Sequence, residues 1–422
     1  MDAQLDPSRL ARRLHTGDAV ILGLGSMIGA GIFAAAGPAA AAAGTGLLLA
    51  VVIAGCIAWL NASTMAQLAA LYPESGGTYV YGRKRLGPIW GFLAGWGFVV
   101  GKLASCTAMA LTFAYYAAPD YARPLAVTAV LVLTLINYMG VKKTAQATKI
   151  LVILVLSSLA LVAFAALGGG AVDTARLTGW LDRGGFPGLL QASGLMFFAF
   201  AGYARIATLG EEVVEPRTTI PRSILIALGI TLAVYLLIIG SAVLTVDIDQ
   251  LAQSQAPLRL AVESGRFHAL APVVRIGACF ASLSVLLSLM AGISRTTFAM
   301  ASGRDLPHAL SAVHPVHKVP HRAELMVGLI VAAVVSFADL RSAIGFSSFA
   351  ILTYYAIANI AAWTLSKEQR LYPRWMSGLG LIACVTVAFS LPGVSVVGGL
   401  ILFGLGLGIY FFESSPKNKI IS

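Results

Sequence analysis

Charge is scarce in this chain. Asp, Glu, Lys and Arg together make up 11% of 422 residues, against 58% hydrophobic. No water-soluble domain of this length hides so much apolar surface, so a soluble fold is excluded and a membrane protein remains. Cysteine is equally sparse. Cys56, Cys106, Cys279 and Cys384 all fall within apolar runs and form no C-x-x-C pair. They read as buried thiols, which excludes a disulfide framework and a thiolate metal site. Of the 6 histidines, His15 and His268 stand alone and the other four, His308, His314, His317 and His321, share one loop. Their spacing of three and four suits a metal, but no Cys or carboxylate joins them and Pro315 and Pro320 break any helix, so the loop reads as solvated. With no nucleophile or metal constellation inside the apolar runs, the chain is not expected to be an enzyme and needs no cofactor.

What is abundant is apolar sequence in runs of membrane-spanning length. Reading about 17–25 residues per span gives about twelve helical crossings, an all-α polytopic membrane protein without a soluble domain. Arg9, Arg12 and Arg13 open the chain, and no short apolar segment with a cleavage site follows. Residues 1–15 therefore read as a cytoplasmic tail and not as a signal peptide. Net charge +11 raises the question of nucleic acid, but the distribution answers it. Most of the 29 lysines and arginines, such as Arg83, Lys84, Arg85, Lys142, Lys143, Arg217 and Arg295, fall on one side of the span model. Arg123, Arg176, Arg183, Arg259, Arg266, Arg275 and Arg341 fall on the other. The positive-inside rule places the richer side, with both termini, in the cytoplasm of a cell-membrane protein. The excess of base reports topology, with lipid as the partner and no nucleic acid.

The stretch that organises the rest is Gly25-Ser26-Met27-Ile28-Gly29-Ala30-Gly31-Ile32-Phe33, inside the first apolar run, Ala19 to Ala43. Each glycine weakens a helix by roughly 1 kcal/mol relative to alanine. Two readings stand side by side. Gly25-x-x-x-Gly29 is a helix-contact spacing. An interrupted span also turns freed N–H and C=O groups towards protein, water or a ligand. The sixth span, about Gly188 to Glu211, carries a weaker interruption at Phe198-Ala199-Phe200-Ala201-Gly202-Tyr203-Ala204. Interruptions at matching places in two halves point to a transporter site on inverted repeats. The expected organisation is a transport core over 16–367, with repeats at roughly 16–167 and 186–367. Two further transmembrane helices cover 368–412, and 413–422 form a second cytoplasmic tail.

Two charges stand inside spans, Lys102 near the centre of the third and Arg205 in the sixth. A charge at helix centre costs at least ~2.5–3.5 kcal/mol, so such residues face a cavity and carry function. Gly210-Glu211-Glu212-Val213-Val214-Glu215-Pro216 follows the sixth span, and its acids read as partners of nearby cytoplasmic arginines.

These residues resemble a known family. Gly25 to Phe33 resembles the first-span signature of the amino acid–polyamine–organocation superfamily. Phe197-Phe198-Ala199-Phe200-Ala201-Gly202-Tyr203, followed by Gly210-Glu211-Glu212-Val213 and Ile220-Pro221, is similar to its cationic amino acid transporter branch. So are Pro73-Glu74-Ser75-Gly76-Gly77 and Arg295-Thr296-Thr297-Phe298-Ala299-Met300 with Asp305-Leu306-Pro307. The resemblance implies a five-plus-five inverted-repeat fold, like that of the sodium-coupled leucine transporter, with broken helices 1 and 6 and alternating access for an amino acid. Carried over residue by residue, it implies that the N–H groups of Ala30 and Gly31 hold the carboxylate, as a helix N-terminus favours. The carbonyls of Met27, Phe198 and Ala201 then hold the ammonium. Glycine at 29 and 31 would let the ligand reach the backbone, Ser26 would add a hydroxyl, and Phe200 and Tyr203 would form an aromatic lid.

Two positions depart from the pattern. Where the cationic branch carries an acid after its Gly-aromatic pair, this chain has Ala204. Where relatives carry a lysine in span five, it has Val155. Lys102 is then expected to supply the positive charge that Val155 does not, and Arg205 to pair with Glu211 or Glu212 at a gate. Two buried positive charges without a matching buried acid repel a cationic side chain. The expectation is proton-coupled uptake of a small neutral L-amino acid. An exchanger and a cationic amino acid permease remain as alternatives, and a non-transporting sensor or a channel as another class.

Overall fold

The computed structural model describes residues 14–74, 76–140, 145–179, 181, 183–207 and 212–413. Among them the chain is helix and short turns, with one isolated parallel bridge between Leu14 and Val213. The first crossing is split into α1 (Thr16–Met27) and α2 (Ala30–Ala43). A 3-10 turn at Gly44–Gly46 reverses the chain into α3 (Leu47–Leu71). Gly44 sits at φ +56°, a left-handed conformation that glycine adopts without penalty. A short helix, α4 (Thr78–Leu86), precedes α5 (Pro88–Ala117), α6 (Ala122–Tyr138) and α7 (Ala145–Gly168).

The second half opens with α8 (Gly185–Phe200), which passes through a 3-10 turn at Ala201–Tyr203 into α9 (Ala204–Ala207). Then come α10 (Pro216–Thr245) and two short helices, α11 (Ile248–Gln253) and α12 (Pro257–Glu263). Next are α13 (Ala271–Ser302), α14 (His321–Phe337), α15 (Leu340–Trp363), α16 (Arg374–Ser390) and α17 (Gly393–Glu413).

Nine stretches of the described residues are long and apolar enough to cross a bilayer. One of them, Ala30–Leu71, has 42 residues. At about 1.5 Å per residue that is two crossings of a hydrocarbon core about 30 Å thick. Counting it twice and adding the shorter apolar helix α16, 17 residues long, gives eleven, and α14, also 17 residues, stands where the sequence reading expects the remaining one.

The helices pack in two groups. α1, α2, α3, α8 and α10 lie on one another, and α5, α6, α13 and α14 form the second set. α7 lies against α1 and α10 on one side and α13 on the other, while α15 touches α5, α3 and α8. α2 is buried along most of its length, because its alanines and glycines keep the helix thin enough for neighbours on every side. Three of the four cysteines are at least partly covered, but Cys56 is exposed on α3. The apolar setting of that thiol is the lipid-facing surface of the helix and not the protein core.

Buried polar groups in a membrane need partners within the protein. Thr64 Oγ1 donates to Asn359 Oδ1 at 2.8 Å, and Asn359 Nδ2 donates to Asn61 Oδ1 at 2.6 Å. The Ser377 hydroxyl stands 3.3 Å from that of Thr64. This cluster fastens α16 to α3 and α15. A second cluster fastens α4 beneath α13. Asp305 accepts from Arg83 Nη2 at 2.7 Å and from the Tyr79 hydroxyl at 2.7 Å. Burial, and then the hydrogen bond to Asp305, hold the Tyr79 hydroxyl well above the ordinary phenol range, so it stays a neutral donor.

Candidate functional site

The first break is two residues long. Ile28 (φ −80°, ψ 69°) and Gly29 (φ −128°, ψ −145°) leave helical geometry between α1 and α2. The Ile28 N–H still donates to the Leu24 carbonyl at 2.7 Å, and the Gly29 N–H folds back to the Met27 carbonyl at 2.8 Å. No side chain caps the start of α2. The opening N–H groups of a helix have no intrahelical acceptor, so those of Ala30 and Gly31 point at the break with the positive end of the dipole behind them. The Ser26 hydroxyl donates to Leu22 O at 2.9 Å, which commits its hydrogen within α1.

The second break is softer, because Ala201-Gly202-Tyr203 tighten into a 3-10 turn instead of unwinding. Its importance lies in what it touches. A methyl group on Gly202 would overlap the Ser26 carbonyl and stand 2.7 Å from the Met27 nitrogen. The two breaks therefore meet backbone to backbone. The other glycines are explained the same way: a methyl on Gly31 would lie 2.7 Å from Ala199 Cα, one on Gly29 would overlap Val285, and one on Gly25 would approach Val152. In this conformation the Cβ directions of Gly29 and Gly31 meet α13 and α8, so close helix packing accounts for the absence of a side chain at both.

Tyr235 on α10 closes the junction. Its buried hydroxyl lies 2.6 Å from the Met27 carbonyl and 3.0 Å from the Ala199 carbonyl. The Phe200 ring packs edge-on against Tyr235 at 4.9 Å, and Tyr203 stacks on Tyr355 at 5.2 Å. Both aromatics are fully buried, so here they are core side chains and not an open lid. Ala201 offers its carbonyl to the Tyr355 hydroxyl at 3.4 Å, and Phe198 is 9% exposed at the edge of the same cluster. Tyr235 and Tyr355 went unread in the sequence. The signal for Tyr235 was a single phenol in the aliphatic run Leu232-Ala233-Val234-Tyr235-Leu236-Leu237.

An amino acid permease family model matches residues 18–418, both breaks included. The chain belongs to the amino acid permease family. It is 55% identical over 410 residues to an uncharacterized transporter of Mycobacterium tuberculosis, covering 97% of this chain and 93% of that protein. The branched-chain amino acid permease BcaP of Bacillus subtilis is 27% identical over 445 residues, 97% of this chain and 95% of that one. Cationic amino acid transporter 4 of Homo sapiens is 27% identical over 401 residues, 87% of this chain and 62% of that one.

The charges of the permease are arranged differently from the sequence reading. Lys102 is buried on α5, and no ion pair to it is formed among the described residues. Val155 is buried on α7, one turn beyond the Val152 that meets Gly25. Arg205 is exposed just past the second break, with Arg295 of α13 and Glu212 as the charges that act on it. Glu211 lies outside the described residues. Asp18 of α1 and Lys149 of α7 form an ion pair at 3.3 Å.

The expectation of two buried positive charges without a matching buried acid needs correction on both counts, and the first is that Arg205 is exposed where only Lys102 is buried. The chain does hold a buried acid, since Glu324 is 3% exposed at the start of α14, beside Ser294 and Arg295. The helix begins directly after Pro320, earlier than the apolar run suggested, and so carries Glu324 into the contact with α13.

Proposed function

We propose that this permease carries a small neutral L-amino acid by alternating access, with a proton as co-substrate. The carboxylate is received by the N–H groups of Ala30 and Gly31 at the uncapped start of α2. The ammonium is received by carbonyls of the two breaks, those of Met27, Phe198 and Ala201. The observation that carries the reading is the meeting of the breaks at Tyr235, where carbonyls from both interrupted passes converge on one hydroxyl. A single O–H hydrogen cannot fully serve two acceptors, and an ammonium with three donors suits such a place.

The surroundings favour a neutral side chain. Met27, Ile28, Phe198 and Val285 line the junction with apolar surface, and Ala204 stands where an acid would recognise a cationic substrate. Glu324 lies beside Arg295 near the end of the bundle and not at the breaks, so it does not change that preference. The similarity to a branched-chain amino acid permease points the same way. The division into two helix groups supports rocking of one against the other around the junction. Lys102, buried in the second group, supplies the fixed or exchangeable charge for proton coupling.

Proteoliposome uptake tests this. Alanine or leucine should enter empty vesicles, faster under an inward proton gradient, while lysine and arginine do not compete. Lys102→Met should abolish the response to the gradient and leave amino acid binding in place. Saturable arginine uptake that neutral amino acids do not inhibit overturns the substrate assignment. Uptake only into preloaded vesicles, indifferent to the gradient, replaces symport with exchange.

A further inference from the structure

A groove of about 360 Å³ opens on the flank of α13, at the end of α5, lined by Tyr116, Arg275, Ile276, Cys279, Phe280 and Leu283. Ile276 and Phe280 are 55% and 48% exposed. On a helix of this length and apolarity such side chains face lipid. The groove ends in a cation. Arg275 lies on the second turn of α13, and its guanidinium is aimed by two hydrogen bonds. Nε donates to Tyr116 O at 2.8 Å and Nη2 to Ala117 O at 2.5 Å. Those bonds cap the last carbonyls of α5 and leave the Nη1 edge of the fork uncommitted. No ion pair to Arg275 is formed among the described residues.

Two further arginines belong to the neighbouring segments. Arg259 acts on Tyr116, and Arg266 lies on the turn before α13. The acids nearby are Glu263, already paired with Arg259 at 2.7 Å, and the exposed Asp120 on the turn after α5. From Arg275 to Leu283 the groove wall runs eight residues, about 12 Å along the helix axis. That is the length of a good part of an acyl chain.

We infer that this groove holds an anionic phospholipid, its phosphate on the free edge of Arg275 and one acyl chain along Ile276, Phe280 and Leu283. A fixed guanidinium at the end of an apolar channel offers the phosphate a charge-assisted hydrogen bond and the chain a dry surface. The site also reaches the transport machinery. The Tyr116 hydroxyl donates to the Phe33 carbonyl of α2 at 3.1 Å and accepts from the Leu258 N–H of α12 at 3.3 Å. A lipid that steadies Arg275 steadies the residue joining α5, α2 and α12.

The test is native mass spectrometry of the full-length protein in detergent, titrated with phosphatidylglycerol, phosphatidylcholine or inorganic phosphate. The expected result is one high-affinity phosphatidylglycerol, weakened at least tenfold by Arg275→Gln and largely restored by Arg275→Lys. Leu283→Trp, which fills the channel and leaves the cation, should weaken both lipids. Arg123→Gln, which removes a different exposed arginine from the same face, should leave binding unchanged. Equal binding of the two lipids, no effect of Arg275→Gln, or equal loss with Arg123→Gln overturns the proposal. Saturation by inorganic phosphate alone assigns the site to a free anion and overturns the lipid. If Arg275→Gln does not fold, Leu283→Trp decides: unchanged phosphatidylglycerol binding refutes the groove.

Discussion

The Tyr235 hydroxyl lies 2.6 Å from the Met27 carbonyl, where α1 comes apart. The same hydroxyl is 3.0 Å from Ala199, so a residue of the seventh crossing joins the broken first and sixth. Removing it with Tyr235→Phe costs one buried hydrogen bond, about 1 kcal/mol and at most about 1.5. Apparent affinity for the transported amino acid should fall roughly fivefold to tenfold, while melting temperature moves little. Unchanged affinity in a binding titration would separate Tyr235 from the site.

Gly202 is the backbone contact between the breaks. Gly202→Ala forces a methyl into the Ser26 carbonyl, and neither side is a flexible side-chain end. Overpacking of this kind costs about 1–3 kcal/mol. Uptake should drop below about a tenth of the native rate, a loss that such a barrier change permits. Gly229→Ala on α10 meets nothing within 4 Å and serves as the control. It should transport normally and melt no lower than the parent.

Asn359 is the hub of the buried cluster that holds α16. Asn359→Leu takes the shortest bond from both Asn61 and Thr64 and leaves them only the longer contacts to Cys384 and Ser377, both at 3.3 Å, at about 1–3 kcal/mol. The expected outcome is a clearly lower melting temperature in detergent with substrate affinity preserved in the folded fraction. A melting temperature equal to the parent's would show that the cluster does not secure α16.

Asp339 caps α15 through Ser342, whose N–H and hydroxyl donate to its carboxylate at 2.9 and 2.6 Å. Partial burial pushes the Asp339 carboxyl up, but the bonds from Ser342 outweigh it and hold the group below the ordinary carboxylate range. A depressed acid stabilises the fold above its unfolded value, about 4, and that contribution is lost as pH falls through the folded value. Asp339→Ala should cost about 0.5–2 kcal/mol at pH 7. Melting curves of parent and variant should converge as the pH is lowered below about 4. A gap independent of pH would show that the carboxylate does not act as the cap.

The first break was legible because glycines crowd one run and an apolar helix tolerates them poorly. Ile28 and Gly29 are the residues that leave helical geometry, inside the stretch that pattern marks. The second break was legible chiefly from its place in the chain, since Phe198 to Tyr203 contain one glycine and the turn there is only a tightening of the helix. What the pattern does not carry is which crossings are neighbours. Tyr235, Val285 and Asn359 act through partners far away in sequence, and no periodicity within α10, α13 or α15 names those partners. Glu324 is hard to read for a local reason, because the apolar run begins only at Leu325 while the helix already begins at His321. At Gly29 and Gly31 the pattern marks glycine but not its neighbour: a side chain there would meet Val285 and Ala199, on helices far away in sequence.

One small contact ties these parts together at the membrane surface. Leu14, ahead of α1, pairs with the strand-like segment that follows α9. Its N–H donates to Glu212 O at 3.0 Å, and its carbonyl accepts from the Val214 N–H at 3.0 Å. The chain entering the first crossing and the chain leaving the sixth are thus yoked. A displacement of α1 is thereby passed through Leu14 to the segment that leads into α10, and the two interrupted passes share one tether at that end of the bundle.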